Sequence, residues 1–146
     1  MKHFAKFICL ILSVTLLLSI PAQAAEIPTP RASDYFVSSA VYLYETSSTT
    51  FQAWFDVTCK RTMDKVGAKE IKIQRSIDNE NWTTVATYTM SDYYSTLIRE
   101  NGVVHVGCVN YSATRGYYYR AFYRLYAEDE TGTATWSRYS SSIYID

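Results

Sequence analysis

The sequence contains few of the residues from which most catalytic sites are built. It has two histidines and five glycines, and His105 is the only histidine besides His3. A serine–histidine or cysteine–histidine site would therefore depend on His105, and no G-x-S-x-G segment is present to hold a nucleophilic serine. The few glycines form no phosphate-binding loop. Composition argues against an enzyme, and we predict neither catalytic residues nor a cofactor.

The sequence also lacks an excess of charge of either sign. Lys and Arg together number 14, and so do Asp and Glu. No basic cluster is present, so we predict no nucleic-acid partner. Most carboxylates, including Asp78 and Asp129, fall in predicted turns, where Asp is common for backbone reasons. With one histidine and two cysteines beyond the first 24 residues, no metal site is predicted.

A long apolar run occurs once, close to the N-terminus. Two lysines precede an apolar stretch over 7–20, which is followed by Ala22-Gln23-Ala24. This pattern predicts a signal peptide over 1–24, with cleavage between Ala24 and Ala25. A membrane anchor is the less favoured alternative, because the run is short for a membrane span.

The remainder of the chain is predicted to be one exported domain. We predict an extended N-terminal lead over 25–33 and a single domain over 34–146. No second apolar run follows, so we predict a secreted, extracellular protein that is not attached to a membrane. Its oligomeric state is left open.

Alternation with a period of two marks the main stretch of the domain, over 116–128. One face of this stretch is apolar or aromatic and includes Tyr119 and Tyr123, whereas the other is polar or amphipathic. A period of two is typical of a β-strand. Together with this stretch, seven strands are predicted in all: 35–44, 51–59, 68–76, 82–89, 103–111, 116–128 and 133–145.

Seven strands separated by turns predict an all-β fold. We expect a seven-stranded antiparallel immunoglobulin- or fibronectin III-like β-sandwich, with a small β-barrel as the alternative. In the sandwich, the second and fifth strands are neighbours, the sixth is central in the other sheet, and 60–67 is a polar loop. Tyr117 or Tyr119 is placed to form a tyrosine corner.

Two cysteines, Cys59 and Cys108, remain beyond the predicted signal peptide. Alternation places both on the inner faces of neighbouring strands, and it places His105 on the outer face. Export to an oxidising space together with an even count predicts a Cys59–Cys108 disulfide. Two separate buried thiols are the alternative.

The chain is rich in tyrosine, with fourteen residues. Some of these fill the core, but aromatic and arginine side chains also alternate on the outer face of 116–128. Together with the next strand they predict a candidate binding surface of Arg120, Phe122, Arg124, Tyr126, Trp136 and Arg138. Such a surface suits a sugar, a peptide or another protein. Stacking of the arginines on aromatic neighbours within the sheet is the alternative. Trp54 is expected on the outside of the other sheet.

Several segments carry a family resemblance: RAS at 31–33, WFDVT at 54–58, TMDKVGAKEI at 62–71, SIDNENW at 76–82 and GYYYRA at 116–121. They resemble a family of small, uncharacterised secreted proteins of clostridial Gram-positive bacteria, classed as a domain of unknown function. The D-x-x-x-W hairpin and the Y-R-A strand look more loosely like a fibronectin type III domain. Neither resemblance implies a catalytic residue.

These observations favour a secreted, non-enzymatic binding or interaction module whose ligand is a protein or a glycan. One alternative is a structural, self-assembling cell-surface protein that pairs through a strand edge. A glycan-acting hydrolase is less favoured, because no histidine-centred site is predicted and the carboxylates that such an enzyme needs across a cleft mostly fall in predicted turns.

Overall fold

A computed structural model of the protein describes residues 31–146. The predicted signal peptide, its cleavage site at Ala24 and Ala25, and residues 25–30 of the lead lie outside the described residues. The end of the lead is not extended as predicted, because Ala32–Tyr35 forms a short helix, α1. The backbone N–H of Arg31 donates to the Asp34 carboxylate over 2.9 Å and closes the first turn of this helix.

Seven antiparallel strands make up most of the described chain. They are β1 (Phe36–Ser47), β2 (Thr50–Ser76), β3 (Thr83–Thr89), β4 (Ile98–Ser112), β5 (Tyr117–Asp129), β6 (Gly132–Tyr139) and β7 (Ile143–Ile145). A second short helix, α2 (Tyr94–Leu97), precedes β4. The strands form one sheet that curls into a half-barrel. The predicted all-β, seven-stranded antiparallel class is confirmed at this level.

Strand β2 runs through the whole sheet. Its first part, over 50–58, pairs with β1 along one edge and β4 along the other. Its last part, over 70–75, pairs with β5 and β3. We call β1, β4 and the first part of β2 the first half-sheet. The second half-sheet comprises β3, the last part of β2, β5, β6 and β7.

The predicted loop over 60–67 is wrong, because this segment belongs to β2. Met63 pairs with Gly102 of β4, and Lys65 pairs with both Glu100 of β4 and Glu128 of β5. Register shifts interrupt the pairing with β4 after Thr58 and the pairing with β5 after Ala68. Bulges of this kind bend a strand without ending it. The polar residues that suggested a loop are the exposed side chains of this bend.

Two other predicted boundaries also change. The predicted strand over 133–145 divides into β6 and β7, which pair with different parts of β5. The strand predicted over 103–111 begins earlier, at Ile98 of β4, and includes Asn101-Gly102 beside the register shift, where Asn101 has a positive φ of 49°. Seven strands therefore result because one merger and one division compensate each other.

The core lies between the inner faces of the two half-sheets. The ring of Phe51 on β2 lies 5.4 Å from that of Tyr119 on β5. The Tyr123 hydroxyl donates to the backbone carbonyl of Tyr42 on β1 over 3.2 Å. Burial raises the pKa of Tyr123 well above its ordinary value, so this phenol stays protonated and donates.

Tyr119 also fixes the start of β5. Its hydroxyl donates to the Thr114 carbonyl over 3.0 Å and accepts from the Thr114 N–H over 2.8 Å. This return to backbone five residues upstream is the contact that defines a tyrosine corner. The other candidate, Tyr117, differs, because the Arg75 guanidinium lies 4.4 Å from the centre of its ring.

Candidate functional site

Arg120, at the centre of the predicted binding surface, is already held by its neighbours. It projects from the outer face of the second half-sheet, and its guanidinium lies 4.3 Å from the ring centre of Trp82 and 4.7 Å from that of Tyr139. Its Nε donates to Gln74 Oε1 over 2.8 Å. Phe122 packs on the same tyrosine with ring centres 5.0 Å apart. We call Trp82, Arg120, Phe122 and Tyr139 the arginine-stacked face.

The other two outer residues of the predicted surface differ in exposure. Arg124 is exposed, and its guanidinium lies 3.9 Å from Oε2 of Glu70, a buried oxygen that accepts no hydrogen bond. Tyr126 is buried, with 6 % of its surface exposed, and its hydroxyl donates to Glu128. Burial and this hydrogen bond raise the pKa of Tyr126 well above its ordinary value. Tyr126 is therefore a structural residue and offers little surface to a ligand.

Trp136 and Arg138 do not belong to this face. Trp136 is paired with Leu125 and Arg138 with Tyr123, and both partners are buried on the inner side of β5. Opposed residues in an antiparallel pair project to the same side of the sheet, so these two side chains point inward, at the gap between β6 and β1. The six residues predicted as one surface are thus divided between two faces.

At this gap, Trp136 contacts Phe36 of β1, with ring centres 5.7 Å apart. The Arg138 guanidinium lies 3.8 Å from the centre of the Trp136 ring, and its Nε donates to Ser39 Oγ over 3.1 Å. A depression of about 240 Å³ beside them is lined by Ala32, Ser33, Phe36 and Trp136. These contacts join β1 to β6 and support a structural role.

The predicted Cys59–Cys108 disulfide is wrong, since both thiols are free. Cys59 lies opposite Phe36 on β1, whereas Cys108 lies opposite Trp54 of β2. Trp54 and Cys59 are five positions apart along β2, or about 16 Å at the usual rise of a strand. An odd separation also places them on opposite faces. A disulfide requires Cα atoms within about 7 Å.

The disulfide prediction is wrong because it assigned the side chains of β4 to the wrong faces of the sheet. His105 points inward and packs edge-on against Phe55, while Val104 and Val106 are exposed. Gly107 leaves the room for this packing, because a Cβ there would lie 2.6 Å from the Phe55 ring and 2.6 Å from the Thr96 carbonyl oxygen. His105 Nε2 donates to that carbonyl over 3.0 Å. Burial lowers the pKa of His105, which favours a neutral, structural imidazole.

The outer face of the first half-sheet has a different character. Strand register places four rows of side chains across β1, β2 and β4: Ser38, Thr58 and Val104; Ala40, Asp56 and Val106; Tyr42, Trp54 and Cys108; Tyr44, Gln52 and Asn110. Tyr42 is 46 % exposed and Tyr44 is 59 % exposed. These two tyrosines, Gln52 and Trp54 line a shallow depression of about 220 Å³. We call these four residues, with Asp56 and Asn110, the tyrosine–tryptophan face.

The rings and amides of the tyrosine–tryptophan face are held in fixed orientations. The planes of Tyr42 and Trp54 are parallel to within 1°, with centres 6.2 Å apart. Trp54 Nε1 donates to Gln52 Oε1 over 2.9 Å, and Gln52 Nε2 donates to Asn110 Oδ1 over 2.9 Å. Among the twelve residues of the four rows, Asp56 is the one charged residue. The face is therefore aromatic and largely neutral.

Sequence reasoning placed Trp54 outside but missed its partners. Tyr42 and Tyr44 alternate with Val41 and Leu43, which is a strand signal in itself. Their meeting with Trp54 depends on the register between β1 and β2, which the short hairpin at 47–50 fixes. That register was the missing information.

Neither a search for metal and membrane sites nor a comparison with known proteins assigns a function. Across residues 31–146, no group of three or more His, Cys, Asp or Glu residues could hold a metal ion, and no helix is long and apolar enough to cross a membrane. Comparison of the chain with models of protein families, with curated proteins and with solved structures found no match. The candidate site therefore rests on the geometry of this chain.

Proposed function

We propose that the protein is a secreted, non-enzymatic binding module that recognises its ligand through the tyrosine–tryptophan face. The observation that supports this proposal is the exposure of Tyr42 and Tyr44 beside a tryptophan whose N–H is fixed by Gln52. Exposed aromatic side chains in a cluster favour association, because they bury apolar area at a small cost in side-chain entropy. Secretion itself still depends on the predicted signal peptide.

We also interpret the half-barrel as a variant of the fibronectin III-like sandwich. The pairing β1–β2–β4 corresponds to strands A, B and E, and β3–β2–β5–β6 corresponds to C′, C, F and G, if strands B and C are the two parts of β2. Membership in the clostridial secreted family stays a prediction. In this fold, ligand recognition through an outer sheet face requires no catalytic group.

The environment of His105 supports a function without catalysis. This side chain faces the core, and its Nε2 proton is engaged by the Thr96 carbonyl. A general base must reach the proton that it removes from a substrate. His105 would first have to leave its contact with Phe55 before it could do so.

A binding screen with paired variants tests the proposal. The protein without residues 1–24 would be applied to an array of glycans and extracellular-matrix proteins. We expect Tyr42→Ala/Tyr44→Ala to abolish the signal on the bound ligand, while Phe122→Ala/Tyr139→Ala keeps it. Thermal melting of each variant confirms that it is folded. Loss of binding in the second variant alone would move the site to the arginine-stacked face.

A self-assembling surface protein is the second candidate, and the exposed face of β4 favours it. Within residues 31–146, β4 pairs along one edge, with β2, and Val106 on its outer face is 49 % exposed. An apolar strand with an unpaired edge can add a strand of another chain. A sedimentation coefficient that rises with protein concentration in the wild type, but not in Val106→Lys, would support assembly over ligand binding.

A further inference from the structure

We propose that the ligand of the tyrosine–tryptophan face is an uncharged glycan chain, which stacks its sugar rings on Tyr42, Tyr44 and Trp54. This inference rests on the proposed function and names the ligand class for the same site. Three properties of the face carry it: the arrangement of the rings, the free hydrogen-bonding groups beside them, and the charge.

The aromatic rings of the face share one orientation. Parallel planes in Tyr42 and Trp54 present their π-faces in a common orientation, and Tyr44 lies in the adjacent row of the sheet. The C–H groups on one face of a pyranose carry partial positive charge, and an aromatic face is negative, so the two attract as they exclude water. A linear glycan presents such faces repeatedly. Rings on two successive rows can therefore contact successive sugars.

The amides supply partners for sugar hydroxyls. Asn110 uses Oδ1 to accept from Gln52, and its Nδ2 makes no hydrogen bond to the described residues. Gln52 uses one of its two N–H groups and accepts from Trp54. The two hydrogen bonds that link Trp54, Gln52 and Asn110 fix which end of each amide is the donor. These groups are therefore oriented before a ligand arrives. Hydroxyls both donate and accept, so they suit this mixture.

Charge argues against an anionic ligand. The four rows contain no lysine or arginine, and the carboxylate of Asp56 lies next to Trp54 along the outer face of β2. A sulfated or uronic-acid glycan would meet this carboxylate without a compensating cation. A neutral sugar would instead offer hydroxyl donors to it. Proline-rich peptides also bind aromatic residues, but they dock in aromatic-lined grooves, whereas this face is shallow.

Calorimetric titration with defined probes tests the ligand class. The probes are neutral hexasaccharides with β1,4-linked glucose, xylose or N-acetylglucosamine, a hexamer of galacturonic acid, and a proline-rich decapeptide. We expect at least one neutral hexasaccharide to bind and the charged hexamer and the peptide to bind at least tenfold more weakly. Trp54→Ala should weaken the neutral complex at least tenfold, Trp54→Phe should retain most of the affinity, and Asn110→Ala should weaken binding severalfold. Arg120→Ala is the matched control on the other face and should leave the affinity unchanged.

The alternative outcomes separate the two proposals. Binding of the galacturonate hexamer or the peptide alone, with loss in Trp54→Ala, would overturn the neutral glycan and keep the binding face. Binding of a neutral hexasaccharide that survives Trp54→Ala but is lost in Arg120→Ala would overturn the site. If neither these probes nor the array gives a signal with folded protein, both proposals fail.

Discussion

The two half-sheets both carry aromatic rings on their outer faces, but they differ in the groups placed among the rings. On the second half-sheet, the Arg120 guanidinium lies over the rings of Trp82 and Tyr139. On the first, Tyr42 and Trp54 are accompanied by neutral amides and one carboxylate. Ring content alone therefore does not identify a binding surface.

This difference separates stabilising aromatics from available ones. On the second half-sheet, the Arg120 guanidinium stacks on two rings and its Nε donates to Gln74, so a cation of the chain itself already contacts these rings, although Tyr139 stays 55 % exposed. The amides of the tyrosine–tryptophan face bond to each other across neighbouring strands and leave Tyr42 and Tyr44 exposed. The two faces therefore differ in what accompanies their rings: a stacked cation on one, and neutral amides on the other.

The largest effect on stability is expected at Gly107 of β4, which packs behind the tyrosine–tryptophan face. Gly107→Ala should lower the free energy of unfolding by about 3 kcal/mol, because the new Cβ would overlap Phe55 and the Thr96 carbonyl. Gly102→Ala on the same strand is the control and should stay within about 1 kcal/mol of wild type, since its Cβ would meet the flexible side chain of Arg99. Urea denaturation measures both. Equal stability of the two variants would show that β4 is not packed as described.

A smaller effect should distinguish the two outer faces directly. Arg120→Ala should lower the free energy of unfolding by about 1–2 kcal/mol, since it removes two cation–π contacts and a hydrogen bond. Tyr44→Ala, at an exposed position of the other face, should change it by less than about 0.5 kcal/mol. A double-mutant cycle of Arg120→Ala with Trp82→Ala isolates the stacking contribution. The comparison breaks down if Tyr44→Ala is the more destabilising change.

The smallest effect is expected from chemical modification of the two thiols, whose reactivity shows which face of the sheet each one occupies. Iodoacetamide should modify Cys108 in the folded protein, whereas Cys59 should react after unfolding. Cys59 is 2 % exposed, and burial raises its pKa to about 11, so it forms little thiolate at neutral pH. Burial also raises the pKa of Cys108, which slows its reaction without preventing it. Intact mass before and after denaturation counts the modified thiols, and no modification in either state would indicate a disulfide.

Alternation within single strands could be predicted from the sequence, and this carried much of the fold. The faces of β5 followed directly from its period of two, as did the inner positions of Phe51 and Phe55 on β2. The faces of β4 could not be obtained in this way, because both parities contain apolar residues. Gly107 has no side chain and so adds nothing to the alternation, yet it determines which face of β4 is inner, because only glycine leaves room there for the Phe55 ring.

The candidate site was harder to predict because it depends on pairing between strands. Arg120 and Phe122 were correctly placed together, but the Trp82 and Tyr139 rings that hold them come from another hairpin and another strand. Trp136 and Arg138 were assigned to the wrong face, since alternation in β6 does not by itself state which face is inner. Register, fixed by tertiary packing, supplies this missing choice.

The continuity of β2 has a consequence for how the protein folds. Its first part pairs Phe51 with Tyr111, and its last part pairs Ile73 with Ala121, so both half-sheets need contacts that are distant in sequence. Closing such loops costs entropy before any contact forms, and we expect folding on a timescale of roughly milliseconds to seconds. Because β2 belongs to both half-sheets, we expect the opening of one to be coupled to the opening of the other. The domain should therefore exchange its core amide protons as a single cooperative unit.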